Sequence, residues 1–70
     1  RSKQMYILTD VSLPQANVIL AETSSVADAI AAASEFGKIY LVEEDEAYPD
    51  HYDLISWKGN LFTIQPKKMR

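Results

Sequence analysis

TSSVADAIAAASEFGKIYLV, residues 23–42, contains the two changes of period that decide the fold. Thr23-Ser24-Ser25 supplies three candidate helix caps. Ser25 and Asp28 make the S-x-x-D form of a capping box, in which a hydroxyl oxygen accepts an otherwise unpartnered N–H of the first turn. Beyond the cap, Val26, Ile30, Ala33 and Phe36 recur at helical spacing among alanines, which predicts a helix of about three turns from Ser25 to Phe36. Its alanine-rich surface is slim, so it can lie close to a sheet while adding little bulk to a core. Gly37 is placed to end it in a left-handed turn. Ile39-Tyr40-Leu41-Val42 then drops the helical period and reads as a strand over Lys38–Val42.

Working outward, Met5-Tyr6-Ile7-Leu8-Thr9 reads as a first strand. Asp10 to Gln15, with Leu13-Pro14, breaks it, and Asn17 to Glu22 resumes an extended run that is either its hairpin partner or an edge segment. On the other side, Asp53–Trp57 and Leu61–Gln65 flank Lys58-Gly59-Asn60, and Pro66 stops the pairing. Gly59-Asn60 suits a two-residue type II′ turn. That turn sets Trp57 opposite Phe62, Ile55 opposite Ile64, Ser56 opposite Thr63 and Leu54 opposite Gln65. The expected core is then Trp57, Phe62, Ile55 and Ile64. The fold class is α+β: a small antiparallel sheet of four to five strands, ββαβββ along the chain, with one helix packed on one face. Residues 1–70 form one domain, with 1–4 and 66–70 as flexible basic tails.

One helix covers one face of such a sheet. Yet Ile39 and Leu41 point one way while Tyr40 and Val42 point the other, and Tyr6 and Leu8 are likewise opposed to Met5 and Ile7. Apolar and aromatic side chains are therefore left for a covering loop, a second copy of the chain or another protein. Tyr6 and Tyr40 are the candidates for an interface on the sheet. A chain of 70 residues buries only roughly 60% of its unfolded surface, so dimerisation would also supply missing core.

Cysteine is absent, so no disulfide or thiolate metal site staples the chain, which favours an intracellular, cytoplasmic setting. No apolar run reaches the ~20 residues of a membrane span. The chain opens on Arg1-Ser2, which reads as a processing remnant, and Met5 is a candidate native start. The net charge of −3 is modest but segregated. Six of the ten acids lie between Glu43 and Asp53, and five of the seven bases are Arg1, Lys3, Lys67, Lys68 and Arg70.

EEDEAYPDHYD, residues 43–53, is the densest chemistry in the chain. Glu43-Glu44-Asp45-Glu46 lacks the alternation and the glycine of a calcium loop. Asp50, His51 and Asp53 have the ligand types for a transition metal, but a lone histidine among loop acids is more often solvated. Ser24, Ser25, Ser34 and Ser56 have only His51 as a possible base and nothing ties it to them, so the residues argue against an enzyme. No metal or other cofactor is expected. Nucleic-acid binding is disfavoured by the charge, since only the tails are basic. Protein recognition remains. Carboxylates steer toward basic patches, and tyrosine gives contact area with few rotors to freeze. Glu43, Glu44, Asp45, Glu46, Tyr48, Asp50, Tyr52 and Asp53 are the candidate partner-binding residues on an exposed connection; the alternative is a merely solvated loop.

In layout, the strand pair, the helix opening Ser25-Val26-Ala27-Asp28-Ala29-Ile30 and the terminal meander resemble small inhibitors encoded by phages and mobile elements, including some anti-CRISPR proteins. The likeness rests on element order and size and transfers no functional residue. It implies a non-catalytic protein-binding module that occupies a basic, nucleic-acid-binding surface of a host protein. The alternative is a self-assembling protein that homodimerises through the open face of its sheet.

Overall fold

In the computed structural model, which describes residues 4–13 and 16–67, the chain leaves extended backbone at Ser25 and turns into a single helix. Ser25 Oγ accepts the Asp28 N–H at 3.1 Å, so the cap is the one its S-x-x-D pattern predicts. The elements are β1 (Tyr6–Leu13), β2 (Ala16–Thr23), α1 (Val26–Phe36), β3 (Ile39–Glu44), β4 (Tyr52–Ser56) and β5 (Leu61–Pro66). All five strands join one antiparallel sheet in the order β2-β1-β5-β4-β3. The fold is α+β, ββαβββ along the chain, with one helix contacting the sheet. Among the described residues, no helix is long and apolar enough to cross a membrane.

The chain enters α1 from one edge strand, β2, and leaves it to the other, β3. The helix contacts β2, β1 and β5. Ala29 and Ala33 are fully buried beneath it, where small side chains let helix and sheet approach. They meet Leu8, Leu54, Phe62 and Ile64, and Tyr6, Leu20, Val26, Ile30, Ile39 and Tyr52 pack around that centre. Phe36 lies outside this stripe and is exposed, although its spacing placed it inward.

Three local expectations are corrected. Gly37 has φ 179 and ψ 137, which is extended backbone and not a left-handed turn. What it supplies is room, because a Cβ there would lie 3.3 Å from Ser56 Cβ. The first strand also does not break at Asp10. It runs to Leu13 because Asp10 Oδ1 accepts the Ser12 N–H at 2.9 Å, while Ser12 Oγ accepts the Leu61 N–H at 2.9 Å. Pairing on both sides of this inner strand outweighs the poor strand propensity of aspartate.

The third correction is the register of β4 with β5. The Gly59 N–H donates to the Ser56 carbonyl at 2.9 Å, and the Ser56 N–H donates to the Asn60 carbonyl at 3.0 Å. Gly59 has φ 95. Trp57-Lys58-Gly59 is thus a three-residue loop closed by a positive-φ glycine, not a Gly59-Asn60 turn. Ile55 faces Leu61 and Leu54 faces Phe62, so each partner lies three residues from its expected place. An odd shift exchanges the two faces of a strand. Leu54 and Ser56 are buried beside Phe62 and Ile64, whereas Trp57 is 66% exposed and Ile55 points away from the helix. Buried Ser56 is satisfied: its hydroxyl donates to Asn60 Oδ1 and accepts the Asn60 N–H.

At the ends, residues 1–3 and 68–70 of the expected tails lie outside the described residues. Pro66 closes β5 opposite Tyr6, and the Lys67 N–H reaches the Met5 carbonyl at 2.8 Å.

Candidate functional site

The acidic segment divides between strand and loop. Glu43 and Glu44 end β3, Tyr52 and Asp53 begin β4, and the pairs Glu43–Asp53 and Glu44–Tyr52 face each other across the ladder. The connection proper is Asp45 to His51, shorter than the exposed connection expected over residues 43–53.

The connection is folded tightly on itself. The Asp45 N–H donates to the His51 carbonyl at 2.8 Å and closes its base. Asp45 Oδ1 accepts the Ala47 N–H at 2.8 Å, a local turn that aspartate favours. Asp50 takes φ 62, a left-handed conformation tolerated by aspartate better than by most residues. His51 Nδ1 lies 2.9 Å from the Pro49 carbonyl, and its ring lies 5.5 Å from that of Tyr48. Glu44, Asp45, Glu46 and Pro49 line an open concavity of about 430 Å³. Tyr48 is 61% exposed at this tip. Among the described residues, no group of three or more acidic and histidine side chains converges as metal ligands.

Tyr52 belongs to a different environment. It is half-buried and packs against the core, so it does not share the exposed tip with Tyr48. Desolvation is the main cause holding its phenol above the usual value, with the Glu44 and Asp50 carboxylates and Tyr6 adding to it.

The two tyrosines expected to mark a sheet interface are also separated. Tyr6 packs at the margin of the core, while Tyr40 is exposed on β3. Their strands are three steps apart in the sheet, roughly 14 Å at the usual spacing. Tyr40 stands where the pairing of β3 with β4 shifts register, and its ring lies 4.6 Å from that of Trp57.

A second surface was hidden by the wrong register. Since Leu54 faces the helix, Asp53 and Ile55 face the other way, and the cross-strand pairs put Glu43, Leu41, Leu61 and Thr63 beside them. Val11, Glu43, Asp53, Ile55, Leu61 and Thr63 line a shallow groove of about 340 Å³ on this side. The unalternating apolar run Ile39-Tyr40-Leu41-Val42 was the one sequence signal for it. No protein-family model matches the chain, and no curated protein or solved structure is significantly similar to it.

Proposed function

We propose that this protein is a small non-catalytic binding module that engages a basic protein surface through its acidic tip, Asp45, Glu46 and Asp50 with Tyr48 among them. The observation supporting it is that these carboxylates are exposed, held by an ordered turn and, among the described residues, free of ion pairs, whereas Glu22 is paired with Lys67 at 3.1 Å. Carboxylates kept together in water repel each other, and a cationic partner turns that repulsion into attraction. An ordered loop also has less conformational freedom to lose on binding. In the form that the element order suggests, an inhibitor of the phage and mobile-element kind, the tip takes the place of phosphates on a nucleic-acid-binding surface.

The test begins with capture of the partner from native lysate and its identification by mass spectrometry, followed by titration at low and high salt. Asp45→Asn, Glu46→Gln and Asp50→Asn together keep the local turns, because asparagine can accept the Ala47 N–H and tolerates positive φ. This triple variant is expected to bind more weakly, mainly through a slower on-rate. Screening within ~10 Å at 0.1 M salt should produce the same slowing in the parent protein. Tyr48→Ala should act mainly on the off-rate. Unchanged affinity in the triple variant overturns the reading.

A further inference from the structure

The face of the sheet turned away from α1 has an apolar floor and, among the described residues, no covering element. Val11, Ile55 and Leu61 form the floor of its groove, and Leu41 adjoins it on β3. Leu61 is 42% exposed and Leu41 37% exposed. Strands with apolar residues on both sides are the pattern of sheets covered on both faces. Among the described residues the one helix, α1, covers the opposite side.

The charges beside this floor say what kind of cover fits. Glu43 and Asp53 are directly opposed on neighbouring strands and line the same groove. Like charges in that position are destabilising, and no ion pair among the described residues relieves them. Glu22, also on this side, already has Lys67. A second copy complements the groove poorly. A two-fold contact through this face would bring the same carboxylates together, and α1, VADAIAAASEF, carries acids and no base.

We infer that the open face is a docking groove for a cationic amphipathic helix of a partner protein. The apolar stripe of that helix covers Val11, Ile55, Leu61 and Leu41, and its flanking lysines or arginines pair with Glu43 and Asp53. The result is a helix–sheet–helix sandwich completed in trans. This surface is distinct from the tip at residues 45–51, and the two readings fail separately.

The probe is a synthetic helical peptide with leucines along one stripe and lysines on both flanks, titrated into the isotope-labelled full chain while amide shifts are followed. Shifts should map to Val11, Leu41, Ile55, Leu61 and Thr63. Glu43→Gln with Asp53→Asn should weaken binding about five- to tenfold, the combined effect of two partly exposed ion pairs. That variant should also melt at or above the parent's temperature, because it removes a repulsion, so lost binding cannot be lost folding. Leu61→Thr should weaken binding as well, and a peptide with glutamates in place of the lysines should not bind. The triple tip variant should bind the lysine peptide as the parent does. The inference is overturned if shifts are confined to residues 45–51, if neutralising Glu43 and Asp53 leaves affinity unchanged, or if the chain alone sediments as a dimer that the peptide does not dissociate.

Discussion

At the scale of single residues, the two glycines have different reasons to be glycine. Gly59 has φ 95 and nothing within 4 Å of an added Cβ, so Gly59→Ala meets only backbone strain, about 1–2 kcal/mol. Gly37 is extended but crowded, and Gly37→Ala pushes on Ser56 at a cost of about 1 kcal/mol. Asparagine separates the two in chemical denaturation: Gly59→Asn should recover part of the loss, since asparagine visits positive φ, whereas Gly37→Asn should be worse than alanine. Equal behaviour at both sites would contradict this account. Tyr52 gives a pH prediction. Its folded phenol is held above the usual 10.0, so folding favours the protonated form. The resulting stability is present below about pH 10, the unfolded value, and is lost as pH rises through the folded value. Tyr52→Phe should flatten that alkaline loss while leaving neutral stability nearly unchanged. An unaltered profile in the phenylalanine variant would assign the loss to other groups.

At the scale of elements, the β4–β5 hairpin shows how one turn residue redirects a whole face. Gly59-Asn60 fits a two-residue turn, and that turn would bury Trp57. The three-residue loop ending in Gly59 instead puts Ser56 opposite Asn60, buries Leu54 and leaves Trp57 against Tyr40 in solvent. Trp57→Ala should therefore cost clearly less than the ~3–5 kcal/mol of a core aromatic, since it loses an aromatic pair worth about 0.5–1.5 kcal/mol and the burial of a minor part of its surface. Denaturant titration followed by circular dichroism measures it, and the parent's tryptophan emission should be readily quenched by acrylamide. A loss of core magnitude would restore the two-residue turn. The helix was more legible. Ser25, Asp28 and the alanines specify its start and its buried face through contacts within a few residues, while Phe36 shares the helical spacing but is exposed.

At the scale of the whole molecule, the core is small enough for one side chain to decide stability. Seventy residues at the usual density of stability give roughly 3.5–10 kcal/mol in all. Phe62 is the largest of the buried side chains, and Phe62→Ala should cost about 3–5 kcal/mol. A urea titration should find this variant partly unfolded without denaturant, or with its midpoint lowered by about a third or more. A midpoint close to the parent's would mean that the centre of stability lies elsewhere. The helix makes its main contacts with β2, β1 and β5, and β3 is exposed along most of its length. The acidic tip and the open groove both begin on that strand.

Taken alone, the sequence determined the α+β class, the order ββαβββ, the capped helix and the exposure of the acidic tip. Each depends on residues close together in the chain: periodicity, a hydroxyl three places from an aspartate, a run of carboxylates that cannot be buried. The tertiary structure decided the strand order, the faces of β4, the continuation of β1 through Asp10 and the division of the acidic segment between ladder and loop. Those outcomes depend on pairing between distant residues, where a shift of one residue exchanges inside and outside. The groove beside Glu43 and Asp53 follows from that pairing, because it exists only once β1, β5, β4 and β3 lie side by side.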